Sequence, residues 1–374
     1  LDVAFSSDQE LLRKSAREFL ADQCPADLVR RVAEEGPSIP EASKLWSHMA
    51  ELGWMGLAVP EDDGGIGYSL VDRAILAEEM GRANLPVPWF TTVCLAAEAI
   101  RAAATQQQRK DLLGKIASGQ ERATLALMEP GGMISPNAIT ARAEASKDTV
   151  KLSGTKAFVP DLETAGIVIV AARLEDEPAL IALDRADLAA VTSEPTLDPT
   201  RPLSTIVLDG IEIPKERVLG GGPCGWAPIE QALDRAAAML AAEMAGGSQY
   251  CLDKSIEYAK VRKQFGRPIG SFQGVSHRCS EMLLQIEGAR SLTYYAAWCC
   301  DEDPASSPIA TSSAKAAASD TFRSCTAQAI QIHGGIGFTW EANLHLWYRR
   351  AFWSAAYLGD AVTHRERVAT LLNL

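Results

Sequence analysis

The residues best equipped for chemistry lie between positions 258 and 273, in the string Tyr258-Ala-Lys-Val-Arg262-Lys263-Gln264-Phe265-Gly266-Arg267-Pro268-Ile269-Gly-Ser-Phe272-Gln273. The apolar spacing before it reads as a helix, and Gly266-Arg267-Pro268 reads as the turn that stops it. Arg262, Lys263 and Arg267 therefore fall near a helix C-terminus, an end that attracts cations whatever else they do. A charged cap accounts for any one of them but not for the whole string. A guanidinium is planar and offers paired donors that match phosphate oxygens. Phe265 offers a face on which a ring can stack, and the Gln273 amide can bond to a base or ribose edge.

A second string, Gln331-Ile-His-Gly334-Gly335-Ile-Gly337-Phe338, reads as a helix stopped by paired glycines. A plain glycine cap is one explanation. The other is that residues without a β-carbon let backbone N–H groups come close to a pyrophosphate.

Other chemistries find less support. The five histidines (48, 277, 333, 345 and 364) show no HxxxH or HxxE spacing, so no metal site is expected. The eight cysteines form no CxxC pair, and several sit in apolar helical patterns, as reduced structural thiols of a cytoplasmic protein would. A net charge of -12 argues against nucleic acid, although a local cationic cluster can still hold a phosphorylated ligand. No run of apolar residues is long enough to span a membrane. The opening LDVAFSSDQE has no basic stretch, so no secretory signal is expected, and a short leader trimmed before Leu1 is compatible with it.

These strings need elements to carry them. Residues 1–120 read as a helical domain: Ser7-Asp8-Gln9-Glu10 and Thr105-Gln106-Gln107-Gln108 both look like capping boxes ahead of apolar helical spacing. Pro60–Gly67 (PEDDGGIG) reads as a rigid loop. Residues 121–225 carry short β-branched runs at 123–128, 149–152, 166–172 and 205–208, which predict a compact antiparallel sheet. From 226 to 374 four long helical runs, near 226–264, 271–302, 306–333 and 345–372, predict a four-helix bundle. The expected fold is thus mainly α with a central β domain.

At residues 258–273 the chain resembles the acyl-CoA dehydrogenase family, whose members carry YAxxRxQFGxPIxxFQ, and at 331–338 it resembles that family's QxxGGxGF or QxxGGxGY. The resemblance implies an FAD-dependent oxidoreductase of lipid catabolism, built as a tetramer in which these segments grip FAD held mainly by a neighbouring subunit. It assigns Arg262, Lys263, Gln264, Phe265, Phe272, Gln273, Gln331, Gly334 and Gly335 to FAD. It further implies an acyl-CoA substrate dehydrogenated between Cα and Cβ, and an electron-transfer flavoprotein or similar acceptor. Asp234 aligns with a family residue that contacts the CoA part of the ligand; a charge on a helix face is the alternative. Surplus apolar surface at Leu283, Leu284, Ile286, Leu292, Trp298, Ala329 and Ile330 agrees with an oligomer.

The resemblance fails where the chemistry is done. The family's Tyr-Glu-Gly, which supplies the base, aligns with Tyr357-Leu358-Gly359, and the alternative place for that Glu is Ala236, followed by Ala237. Glu243 and Asp360 are the substitutes within reach, each with a solvated or capping role as its alternative. The family's Thr-Glu-Pro-x-Ala-Gly-Ser-Asp becomes Met128-Glu129-Pro130-Gly131-Gly132-Met133-Ile134-Ser135. Its Trp-Ile-Thr near the flavin becomes Phe158-Val159-Pro160, which brings neither hydroxyl nor N–H at the last position. Three functions follow as expectations: a dehydrogenase acting alone or as one subunit of a mixed tetramer, a silent subunit completing a partner's FAD site, or a flavin oxidase or monooxygenase on the same fold.

Overall fold

The computed structural model describes residues 5–374; Leu1–Ala4, where the leader reading begins, lie outside the described residues. The early helices are α1 (Ser7–Gln23), α2 (Ala26–Glu35), α3 (Pro40–Glu51), α4 (Leu70–Ala83), α5 (Ala97–Ala103, entered through a π-helical stretch at Phe90–Ala96) and α6 (Gln106–Ala117). Strands β1 (Ala123–Ala126), β2 (Arg142–Ala145), β3 (Thr149–Pro160), β4 (Ile167–Leu174), β5 (Glu177–Asp184), β6 (Ala190–Glu194) and β7 (Leu203–Pro214) follow. Then come α7 (Ala227–Val261), the two-residue strands β8 (Lys263–Gln264) and β9 (Arg267–Pro268), α8 (Gln273–Glu302), α9 (Ser307–His333), α10 (Leu344–Ala356) and α11 (Ala361–Leu371). The order helices, sheet, helices agrees with the sequence.

The chain condenses into two compact units. One comprises Pro37–Tyr68 and Val87–Ala236 and holds the sheet. Its spine is the β3–β7 ladder, from Thr149 opposite Pro214 to Pro160 opposite Leu203, interrupted by bulges after Leu152 and after Lys156. The long ladders are antiparallel as expected. Two short pairings are not: β1 and β2 both run parallel to β4, along one edge of it, while β5 lies antiparallel on the other. Val150, Leu152, Val168, Val170, Ile181 and Ile206 form its apolar centre. The Thr105–Gln108 capping box opens α6 as expected, and Gln108 also donates at 2.9 Å to the carbonyls of Glu216 and Val218.

The second unit comprises the residues up to Gly36, Ser69–Pro86 and Ala237–Leu374. Its first capping box begins at Ser6 rather than Ser7: Ser6 accepts from the Gln9 amide, and the Gln9 side chain accepts from Ser6 N–H. At its centre α4 and α7 meet backbone to backbone. A β-carbon on Gly81 would overlap the Glu243 carbonyl, and one on Gly246 would overlap that of Glu78. The neighbouring Gly247 gives its face to the ring of Phe322 on α9. Beside this crossing the buried Arg350 of α10 donates to Glu243 at 2.7 Å and to the Leu85 carbonyl at 3.2 Å.

Two expectations need correction here. The run 345–372 is two helices, not one, because Leu358 (φ 61°) and Gly359 (φ 97°) both enter the left-handed region and break the ladder between α10 and α11. Of the apolar residues offered as surplus surface, Leu284 (74% exposed), Leu283 and Leu292 are exposed, but Ile286 and Ala329 are core.

The crossing makes a direct test. Gly246→Ala and Gly81→Ala must each push two helices apart, so each should cost about 3 kcal/mol or more in urea unfolding. Gly288→Ala on α8, where an added β-carbon meets nothing, should be neutral or stabilising by up to about 1 kcal/mol. A wild-type midpoint for Gly246→Ala would exclude the close approach. Glu243→Gln leaves a buried guanidinium without its carboxylate and should cost about 3–5 kcal/mol by the same measurement.

Candidate functional site

The last helical bond of α7 runs from Arg262 N–H to the Tyr258 carbonyl at 2.9 Å. Beyond it Lys263 pairs with Pro268 and Gln264 with Arg267, leaving Phe265 and Gly266 as a two-residue loop. Both loop residues have positive φ, 51° and 81°, the twist a tight hairpin demands. Glycine takes that conformation freely; phenylalanine does so at a cost of roughly 1–3 kcal/mol. Phe265 is nevertheless 91% exposed, so its own chain gains little from the ring. Its neighbour Phe272 meets it edge-on at 6.1 Å and carries the Arg267 guanidinium over its face at 4.2 Å. Arg262, Lys263, Gln264 and Gln273 are exposed, and among the described residues their side chains make no hydrogen bond or ion pair. Gln273 opens α8, whose N-terminus has no side-chain cap, so its first N–H groups are free to meet an anion.

The second string ends α9. Its His333 stacks on Tyr258 with centroids 4.4 Å apart, which ties the two strings together. His333 Nδ1 lies 2.8 Å from the Ala329 carbonyl and therefore donates, while burial lowers the ring's pKa. The three glycines have different reasons to be glycine. Gly337 packs against the Ile330 carbonyl, and Gly334 needs a φ of 63°. Gly335 has neither constraint, and a β-carbon there would meet open space. Gln331 is exposed and unbonded among the described residues. Unpaired cations, open glycines and a displayed ring fit the pyrophosphate and adenosine end of a dinucleotide.

The sheet side fits a flavin less well. The bulge after Lys156 puts Phe158 at φ 55°, partly exposed, and the Pro160 carbonyl is taken by Thr124 Oγ1 at 2.6 Å. Lys156 is fully buried on Glu129 at 2.8 Å. Against the opposing pull of burial, the bonds from Ala141 N–H, Lys156 and Thr140 keep the Glu129 carboxyl below its usual range.

The acids and the apolar stand-ins fall as follows. Leu358, with its side chain buried, sits on the turn between α10 and α11; Ala236 and Ala237 are buried on α7. Asp234 is buried and held by an interaction within the chain, next to Arg235, which shares Glu98 with Arg101 at 2.8 and 2.7 Å. Glu243 is the carboxylate paired with Arg350. Asp360 is the N-cap of α11, accepting from Thr363 N–H at 2.8 Å and Thr363 Oγ1 at 2.7 Å. Those bonds hold its carboxyl below the ordinary value, the wrong direction for a stronger base. Sequence reading missed Lys315 and His364, two buried groups bonded to this turn. A lysine inside Ala314-Lys315-Ala316, on the face of an apolar helix, was the available signal.

Residues 6–120 match the N-terminal domain of acyl-CoA dehydrogenases and residues 224–372 match their C-terminal domain. The chain is 31% identical to the acyl-CoA dehydrogenase IpdE2 of Mycolicibacterium smegmatis, over 95% of each chain. It is 30% identical to the mitochondrial short-chain specific acyl-CoA dehydrogenase of Sus scrofa, over 98% of this chain and 90% of that one. Among solved structures, the Tcur3481-Tcur3483 steroid acyl-CoA dehydrogenase variant superimposes with a TM-score of 0.85 at 31% identity, covering 98% of both chains. With matching domains at both ends and a fold that agrees, this chain belongs to the acyl-CoA dehydrogenase family of FAD-dependent oxidoreductases.

Proposed function

We propose that this chain is one subunit of a heteromeric acyl-CoA dehydrogenase, contributing FAD contacts across a subunit interface while a partner supplies the carboxylate base. The observation that carries the reading is the contrast between its two sets of residues. Arg262, Lys263, Gln264, Gln273 and Gln331 are exposed and uncommitted, whereas Leu358 and Ala236, at the two places for the base, are apolar. A name that pairs two chains, as that of the Tcur3481-Tcur3483 enzyme does, is in keeping with such an arrangement.

Removing an α-proton from a thioester needs a positioned base, worth roughly 10²–10⁴-fold in rate. Neither a leucine nor an alanine accepts a proton. FAD, when bound, supplies the acceptor for the β-hydride, which no protein side chain provides. The chain's own part is binding: Arg262 and Lys263 answer phosphate charge, the open backbone at Gly334-Gly335 admits close approach, and Phe265 stacks. Asp234 is the contact proposed for the CoA part, and an electron-transfer flavoprotein or similar protein is the proposed acceptor.

FAD content is the first test. Arg262→Ala and Gln331→Ala should each lower FAD occupancy at least tenfold while helical circular dichroism is retained; unchanged occupancy in both would sink the assignment. Turnover is the second. The purified chain, reconstituted with FAD and given short-chain, long-chain and steroid-side-chain acyl-CoA esters with a dye acceptor, should run at least 100-fold slower than the same chain assembled with a Glu-bearing homologous subunit. Robust turnover alone, lost in Asp360→Asn, would identify Asp360 as the base instead. Oxygen consumption in place of dye reduction would mark an oxidase.

A further inference from the structure

Between α10 and α11 the chain makes a turn that its own backbone does not stabilise. Leu358 and Gly359 are consecutive left-handed residues, and a leucine held there costs roughly 1–3 kcal/mol. Two buried side chains, one from α9 and one from the first turn of α11, take up the turn's carbonyls. Lys315 Nζ, on α9, donates to the Gly359 carbonyl at 2.8 Å, to the Ala355 carbonyl at 3.3 Å and to Ser319 Oγ at 3.2 Å. His364 Nε2, on α11, lies 3.0 Å from the Leu358 carbonyl. A carbonyl only accepts, so Nε2 carries the proton, and Nδ1 is left buried without a partner. An ammonium has three N–H donors, and here each has its acceptor.

Both groups are costly to bury. Burial pulls Lys315 down to about 7 against the raising effect of Asp360, and pulls His364 down to about 4. The imidazole is therefore neutral at neutral pH and donates from Nε2. Capping the end of α10 would not need two such groups, since a glycine and water ordinarily suffice. What the pair adds is a fixed place for residue 358.

We propose that Lys315 and His364 are positioning residues that clamp the carbonyls of Gly359 and Leu358, so that this turn still holds a working site for a base and lacks only the side chain. The inference rests on the reading above, that position 358 faces the reacting carbon of an acyl-CoA. The clamp itself is independent of any ligand, and the two can be tested apart.

Amide hydrogen exchange reads the clamp. In Lys315→Met, the Tyr357, Thr363 and His364 amides, which close the turn on either side, should exchange at least tenfold faster, while those of α8 stay as in the wild type. Should Lys315→Met fail to fold, His364→Leu against His364→Gln tests the same turn, because the glutamine amide can still donate. Unchanged exchange in the variants that fold overturns the clamp. Catalysis reads the position. With FAD bound, Leu358→Glu should give the chain acyl-CoA turnover of its own, at least 100-fold above the parent. Adding Lys315→Met should lower kcat tenfold or more and leave KM and FAD occupancy unchanged. An inactive Leu358→Glu protein that binds FAD and acyl-CoA, in a chain whose turn amides respond to Lys315→Met, overturns the placing of the base at 358 and leaves the clamp a purely structural device.

Discussion

Gly81 and Gly246 leave no space for a β-carbon between α4 and α7, and most of the second unit takes its register from that meeting. Once the two backbones touch, the residues around the contact have fixed places to fill. Glu78, next to the crossing on α4, receives Arg290 at 2.9 Å and the Tyr294 hydroxyl at 2.7 Å from α8. Glu243, opposite on α7, receives Arg350 from α10, and Gly247 receives Phe322 from α9. Four helices are thereby keyed to little more than one turn of α7. About three turns further on, the same helix delivers Tyr258 to His333 and ends in the hairpin. The placing of the two strings thus begins in a helix contact that has no chemistry of its own.

Much of this was legible in the sequence, and the reasons are local. A helix stop before Gly266, a capping box at Thr105 and a glycine stop after His333 are each set by a few adjacent residues, whereas the small hairpin around Phe265-Gly266 was read only as a turn. Leu358 gave no such notice. Leucine favours helix, and the left-handed turn is held by bonds from Lys315 and His364, 43 residues before and six after it, together with burial of the leucine itself. Strands β2 and β6 escaped for a related reason: Arg-Ala-Glu-Ala and Ala-Val-Thr-Ser-Glu have little strand character, and pairing with β3 and β7 decides them. The glycines of the crossing are equally silent, since a glycine within a helix reads only as a weak point until its partner helix is known.

Partnership separates structural charges from those available to a ligand. Glu98, Glu129, Glu243 and Asp63 are buried, and each meets a cation: Arg101 and Arg235, Lys156, Arg350, and Arg109. Stripping one partner from such a pair leaves an uncompensated charge in a poorly polarisable interior, so each of these groups is committed to a partner within the fold. Arg262 and Lys263 stand outside that pattern, exposed and unpaired among the described residues. Charge by itself would not have distinguished them, because surface cations are common. The added features are a strained and exposed phenylalanine next to them and a glycine, Gly335, with no internal need to be one.

The turn at residue 358 is the place where stability and chemistry pull apart. A leucine in the left-handed region costs roughly 1–3 kcal/mol relative to an ordinary conformation. Burying its side chain, which is 8% exposed here, contributes about 1.5–3 kcal/mol, a gain of the same size as the strain. A glutamate at the same place would carry the same strain and, instead of that gain, the cost of taking a carboxylate out of water. At this place a leucine therefore serves the fold better than a glutamate would, and a leucine accepts no proton.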